Sequence, residues 1–369
     1  MTSIKQDEQN NNNNNINKKK MNQTSSTSAE TAATPLLLSF GLIADVQYCT
    51  HDDVWNFAHT TLRSFKNSLN ILKASVKYFN EKNLAFIADL GDIIDGRCKT
   101  IGTSDMDLKI VLDEFEKMNC NQINHLIGNH ELYNYKRKDL KKLLNTTNGV
   151  NGQTTWYSYR PVEKVPFRVI VLDTYDISYI EGTTNERTEE AKAILAKYNP
   201  NDFSKKGVNW VSGLKGKNRR YLPYNGGISK AQLDFLNETC KKADEMNEQC
   251  VVMGHVQVCP GACSNTCILY NYEDVLNIFH KYNCVVAYCA GHDHSGGYIE
   301  KNGIHYLTLP SPLETKIGDM CFGSIDIYDD KMKINSIGNK MQNVFPDKLL
   351  PLRKNVIYKK KRKKTKNKM

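Results

Sequence analysis

The chain has 369 residues, 40% of them hydrophobic and 24% charged, enough for one large core or two modest ones. No run approaches the roughly 18 apolar residues of a membrane span, and the longest apolar stretch, Pro35 to Ala44, ends at Asp45, so a transmembrane protein is not expected. That stretch has no basic flank directly ahead of it and no small-residue cleavage site behind it, which argues against a secretory leader and for a cytoplasmic protein. The net charge of +10 is localised: residues 353–369 carry ten Lys/Arg and no acid, and the rest of the chain is near neutral. Such a block reads as a solvated tail, with nuclear entry or nucleic-acid contact as its other uses. Eleven cysteines at irregular spacing, an odd number, fit reduced thiols better than a disulfide framework.

Residues 1–34, with an Asn run at 10–15 and three lysines at 18–20, lack the apolar periodicity that offsets ordering entropy and read as a disordered segment. The folded body is expected over 35–350, followed by a disordered basic tail over 351–369. Along the body, short apolar runs end repeatedly in polar residues: at Asp45, Asp92, His130, Asp173, His255 and His294. These are buried strands by pattern. Leu62, Phe65, Leu69, Leu72, Val76 and Phe79 recur at helical spacing between the first two, and Leu108, Val111, Leu112, Phe115 and Met118 repeat it. Ser229 and Gln232 open a further helix through a capping box. Asn302-Gly303 and Asp329-Asp330 mark hairpins near the C-terminus. Strand–helix alternation with added antiparallel strands predicts a single layered α/β sandwich.

The polar residues at the strand ends carry the chemistry. In order they are Asp45-Val46-Gln47, Gly91-Asp92-Ile93-Ile94-Asp95, Gly128-Asn129-His130-Glu131, Gly254-His255 and Gly291-His292-Asp293-His294. In open α/β sheets, ligands bind beyond the carboxyl ends of the strands. Taken singly each motif is weak, since a lone Gly-His pair is commonly a satisfied structural histidine. Five motifs of carboxylate, amide and imidazole, all able to meet at one sheet edge, point to a two-metal centre. Two divalent ions a few ångströms apart acidify a shared water and clamp the oxygens of an in-line phosphoryl displacement.

These ordered blocks resemble the calcineurin-like metallophosphoesterase superfamily, with Gln47 where most members have histidine. That departure, with GNHELYN, YNGGISKAQLDFL and AGHDHSGGY, resembles the manganese-dependent ADP-ribose/CDP-alcohol diphosphatases. The resemblance implies a β-sandwich flanked by helices in four α/β/β/α layers. It implies that Asp45, Gln47, Asp92 and His294 hold one divalent ion and Asp92, Asn129, His255 and His292 the other, Mn²⁺ or, failing that, Mg²⁺. His130 follows a ligand directly and is left to face substrate as acid or transition-state donor, with Asp95 as its orienting partner. The implied reaction is hydrolysis of ADP-ribose to AMP and ribose 5-phosphate, and of CDP-alcohols to CMP and a phosphoalcohol, by a metal-bridging hydroxide. The expected partners are small nucleotide-diphosphate conjugates, met by a monomer that binds neither membrane nor nucleic acid.

The same centre would serve a phosphomonoesterase or cyclic-nucleotide phosphodiesterase, and the basic tail leaves a nucleic-acid-binding or scaffold protein as a different class of reading. Trp55 and Phe57 are candidate base-stacking aromatics. Residues 205–227, with Trp210, Arg219, Arg220 and Asn225-Gly226-Gly227, form a candidate lid. Cys259, Cys263 and Cys267 lack the second cysteine pair of a zinc module and read as incidental loop thiols.

Overall fold

The computed structural model describes residues 34–56, 59–144, 154–180, 186–345 and 349–353. The Asn-rich head, Phe57 and the tail beyond Arg353 lie outside them. Strands β1 (Leu36–Ile43), β2 (Phe86–Asp89) and β3 (Ile123–His125) start the first sheet and run parallel. The chain then builds a second sheet from β4 (Tyr157–Tyr159), β5 (Phe167–Val171), β6 (Gln249–Met253), β7 (Val285–Ala290), β8 (Gly297–Lys301) and β9 (Ile304–Thr308). It returns to the first with β10 (Phe322–Tyr328), β11 (Lys331–Ile337) and β12 (Leu349–Pro351). The two sheet orders are β12-β11-β10-β1-β2-β3 and β8-β9-β7-β6-β5-β4. Strands β5, β6, β7 and β9 are parallel, so the second sheet has a parallel centre with an antiparallel strand at each edge, whereas in the first the parallel strands β1, β2 and β3 form one half and the antiparallel strands β10, β11 and β12 the other. The fold extends slightly past residue 350: Pro351 pairs with Lys331 and Leu352 N donates to the Asp330 carbonyl.

Fully buried apolar strands such as β7 require cover on both faces. Between the sheets Phe40 stacks on Phe86 at 4.7 Å and meets Phe167 of the opposite sheet at 6.5 Å. On the outer face of the first sheet lies helix α1 (Phe65–Asn80), whose Phe79 packs on Phe322 at 5.7 Å. Gly41 in β1 makes room for it, since a Cβ there would sit 3.0 Å from the Phe79 ring. Two further elements, α2 (Arg97–Ile101) and α3 (Ser104–Phe115), follow β2, and α4 (Asn129–Asn134) follows β3. The second sheet is covered by α5 (Lys230–Glu245) and α6 (Tyr272–Lys281), through Cys284 Sγ on the Cys240 carbonyl and Phe279 against Tyr288. The order of layers is α/β/β/α, as expected.

The Ser229 hydroxyl accepts from Gln232 N, which places the α5 start where the capping signature put it. The Asn302-Gly303 turn has φ of 56° and 72° and joins β8 to β9. Leu62 departs from the expected helix: it pairs with Trp55 in a short hairpin ahead of α1. Helical spacing alone cannot separate a residue that begins a helix face from one that packs just before it. No helix among the described residues is long and apolar enough to cross a membrane.

Phe40 is fully buried at the seam of the two sheets. Phe40→Ala is expected to lower stability by about 3–5 kcal/mol, read as a shift in the denaturation midpoint at unchanged denaturant slope.

Candidate metal centre

Every expected ligand leaves the carboxyl end of a parallel strand. β1 delivers Asp45 and Gln47, β2 delivers Asp92 and Asp95, and β3 delivers Asn129 and His130. From the second sheet, β6 delivers His255 and β7 delivers His292 and His294. Backbone hydrogen bonds tie these ends together: Asp45 N to Gly91 O (3.0 Å), Gln47 N to Asp92 O (2.9 Å) and Gly291 N to His255 O (3.0 Å).

Asp92 occupies the centre and is buried. Its Oδ1 accepts His130 N–H at 2.8 Å, its Oδ2 accepts Gln47 Nε2 at 3.0 Å, and His255 Nε2 lies 3.3 Å from Oδ2. Asp45 closes the other side, with Oδ1 3.6 Å from His294 Nε2 and 4.0 Å from His255 Nε2. Asp92, His255 and His292 each offer a ligand atom within 4.8 Å of the others.

Asp45, Gln47, Asp92 and His292 have φ of 52°, 42°, 59° and 69°. Left-handed backbone costs a non-glycine residue about 1–3 kcal/mol and persists where the surroundings over-determine it. Among the described residues seven non-glycine positions have positive φ, and four of them are expected ligands. The turns also need their glycines: a Cβ on Gly128 would fall on Asp92 Oδ1 and one on Gly291 on Asp45 Oδ2.

Each imidazole is tethered by its outward nitrogen. His255 Nδ1 pairs with the Leu90 carbonyl at 2.7 Å, and His292 Nε2 with Asn225 Oδ1 at 2.8 Å. His294 Nδ1 makes an ion-pair contact of 2.9 Å with Glu314. The nitrogen left over is the inward one, the arrangement by which metal-binding histidines are oriented. His255 Nε2 is buried without a hydrogen-bond partner, and so is Gln47 Oε1. Gln47 presents Nε2 to Asp92 and to His294 Nε2 (2.9 Å); a half-turn of its amide puts the oxygen at the same point. Two orphaned donors, converging carboxylates and inward-facing imidazoles fit divalent cations.

The electrostatics agree. Burial opposes charge on Asp92, but His255 and His130 outweigh it and hold the carboxyl well below the carboxylate range. Burial likewise opposes protonation of His255, yet Asp92 and Asp45 carry it up to about 10. Burial pushes Asp45 up to about 6 against the pull of His255 and His294, and holds His292 well below its ordinary value. A buried carboxylate pair at this density requires positive charge beside it.

His130 stands at the wall of the cavity, where its Nε2 is 3.9 Å from Asp92 Oδ2. Its Nδ1 accepts the Gly96 N–H at 2.7 Å, which places the ring proton on Nε2. Asp95 Oδ2 is 3.5 Å from the same Nδ1 and its Oδ1 accepts Arg97 N–H at 2.9 Å. Asp95 therefore acts on His130 by charge and by shaping the loop, and the orienting hydrogen bond is Gly96's.

Several site residues were given no role by the sequence reading. Glu131, fully buried, accepts Asp92 N, Ile93 N and Gly128 N at 2.7–2.8 Å and holds the two turns together. The Tyr175 hydroxyl donates to Asn129 Oδ1 at 3.0 Å, and Glu314 backs His294. The cavity above the centre, about 370 Å³, is bounded by Tyr224 and Cys267 as well as by Gln47, Asp92, Asn129, His292 and His294, so Cys267 borders the site. The expected lid divides: Tyr224 and Asn225 reach the site, whereas Arg220 is buried in a pair with Glu273 between Tyr221 and Tyr272 and serves the fold. Trp55 sits exposed on the short hairpin.

A sandwich whose two sheets send carboxylates, amides and imidazoles to one shared edge defines the class of metal-dependent phosphoesterases. Residues 38–296 match the family model of the calcineurin-like phosphoesterases. An Arabidopsis thaliana protein named manganese-dependent ADP-ribose/CDP-alcohol diphosphatase is 39% identical, over 82% of this chain and 95% of its own. A Homo sapiens protein of the same name is 32% identical, over 86% and 94%. A crystal structure of a dimetal phosphatase from Danio rerio superposes with a TM-score of 0.80 at 30% identity, covering 86% of this chain and 99% of that one. The chain belongs to the calcineurin-like phosphoesterase family, among the manganese-dependent ADP-ribose/CDP-alcohol diphosphatases.

Glu131→Gln removes one of two acceptor oxygens facing three N–H groups. It is expected to cost about 1–3 kcal/mol and to weaken Mn²⁺ binding, read by thermal unfolding and by titration of the metal-free protein.

Proposed function

We propose that this protein is a Mn²⁺-dependent hydrolase of nucleoside diphosphate conjugates, cleaving ADP-ribose to AMP and ribose 5-phosphate and CDP-alcohols to CMP and a phosphoalcohol. The observation that carries the reading is the cluster of Asp92, His255 and His292, each with a ligand atom within 4.8 Å of the others, joined by Gln47, Asp45 and His294 through contacts of 4.0 Å or less, with His255 Nε2 and Gln47 Oε1 lacking a hydrogen-bond partner. The names of relatives aligned over nearly their full length support the substrate class. Asp45, Gln47, Asp92 and His294 form one shell, and Asp92, Asn129, His255 and His292 the other, with Asp92 common to both. Two divalent ions in these shells supply, when bound, charge for the phosphoryl oxygens and a water acidic enough to attack.

The chain's own residues do the rest. Asn129 is held by Tyr175 and His292 by Asn225, so the second shell is set before substrate arrives. His130, with its proton on Nε2 at the cavity wall, donates to the departing phosphate oxygen. Gly96 keeps that tautomer in place, so the neutral ring acts as a hydrogen-bond donor to the charge that develops on the leaving oxygen.

Turnover of ADP-ribose, CDP-choline, a cyclic nucleotide and p-nitrophenyl phosphate, with and without Mn²⁺, tests the reading. The first two should dominate and should require the metal; preference for p-nitrophenyl phosphate overturns it. His130→Ala should lower kcat by roughly 10²- to 10⁴-fold with two ions per chain retained by metal analysis. Gln47→His should move the order of activating metals from Mn²⁺ toward Zn²⁺ and Fe²⁺, because an imidazole replaces an amide oxygen; activity at matched free-metal concentrations reads it.

A further inference from the structure

His130 is the wall between two cavities. On one side is the cavity over the expected metal shells; on the other is a second, of about 450 Å³, whose lining carries the cations Arg63, Arg97 and Lys99 against the single carboxylate of Asp95, beside His130 and Tyr133. Arg63, His130 and Tyr133 line both, so the two spaces adjoin. The second has three cations to one carboxylate, whereas the first has three carboxylates to the one cation of Arg63. Arg63 is engaged by Glu314 at 2.9 Å. Arg97 and Lys99, both exposed on α2, are held loosely. Arg97 meets Asp95 only at 3.8 Å, and Lys99 Nζ donates to the Asn134 carbonyl at 3.3 Å, with no carboxylate within 4 Å of it among the described residues.

We propose that Arg97 and Lys99 form the subsite for the leaving phosphate, the second phosphate of a diphosphate conjugate. This rests on the function proposed above and specifies where the substrate's two halves go. Hydrolysis adds water's oxygen to the attacked phosphorus and breaks that phosphorus's bond to the bridging oxygen. The bridging oxygen keeps the electron pair, accepts a hydrogen bond from His130 Nε2–H and departs as a phosphomonoester anion, while the proton of the attacking water passes to solvent. The departing phosphate must therefore lie on the His130 side of the attacked phosphorus. The attacked phosphate takes the place over the metal shells, and the space that continues past His130 carries cations for the other. An Arg fork and a Lys ammonium are the side chains that hold phosphate oxygens, and a concave basic surface concentrates the field. The placement on α2 links the subsite to catalysis, because Gly96, next to Arg97, is the donor that holds His130.

The holoenzyme tests this through the double variant Arg97→Ala/Lys99→Ala and the reversal Arg97→Glu, assayed on ADP-ribose and on bis(p-nitrophenyl) phosphate, an ester with a single phosphorus. Both positions are exposed, so folding and the two-ion metal content should be unchanged. The proposal expects kcat/KM for ADP-ribose to fall roughly 10- to 100-fold, as for lost charge-assisted hydrogen bonds, more in the reversal, with bis(p-nitrophenyl) phosphate turnover within about threefold of wild type. The KM for ADP-ribose should also lose most of its salt dependence. Retained ADP-ribose kinetics, or an equal loss on both substrates, overturns the subsite. Failure of the unmodified enzyme to cleave either ADP-ribose or CDP-choline is a different result and counts against the function itself.

Discussion

A carboxylate buried at the seam of two sheets is the constraint from which the site is built. Asp92 has almost no contact with water, so its charge must be met by hydrogen bonds and cations. His130 N–H and Gln47 Nε2 occupy its two oxygens, and His255 stands beside one of them. Its backbone is held left-handed by Glu131, which takes the N–H groups of Asp92 and of its neighbour Ile93. Gly128 has no side chain because Asp92 Oδ1 fills the place where one would be. One charged group thus dictates a glycine, a second buried acid and three loop conformations.

The sandwich answers that constraint by dividing the donors. The first sheet contributes both aspartates and the two amides, and the second contributes three imidazoles. Each imidazole arrives with its outer nitrogen occupied by a group from a distant part of the chain, Leu90, Asn225 or Glu314. A ring anchored in this way keeps its tautomer, and its free nitrogen has one direction in which to act. Backbone strain at four of the donor positions is held by hydrogen bonds of their own N–H groups, to Gly91 O, Asp92 O, Glu131 and Asp45.

Around this rigid centre the chemistry is sorted by charge. Carboxylates and imidazoles gather where cations belong, while Arg97 and Lys99 line the space past His130. His130 belongs to both regions and is held by the loop that carries one of those cations. Tyr224 and Cys267 border the remaining side and offer an aromatic face and a thiol.

The ligand motifs were legible in the sequence because each is local: an apolar strand, then a donor, five times along the chain, with a glycine just before the donor in four of them. The helices and hairpins followed for the same reason, since capping Ser229 and the Asn302-Gly303 turn act on their own neighbours. The partners of those donors were not legible. Asn225 reaches His292 across 67 positions, and Tyr175 reaches Asn129 across 46. Arg220 had the composition of a phosphate ligand and proved to be paired with Glu273, whereas Cys267 seemed incidental and borders the cavity. The sequence by itself determined which residue types gather at the strand ends, because strand and turn chemistry are short-range. Only the tertiary structure decided which atom of each faces the centre, because that depends on what binds the other side of the same group.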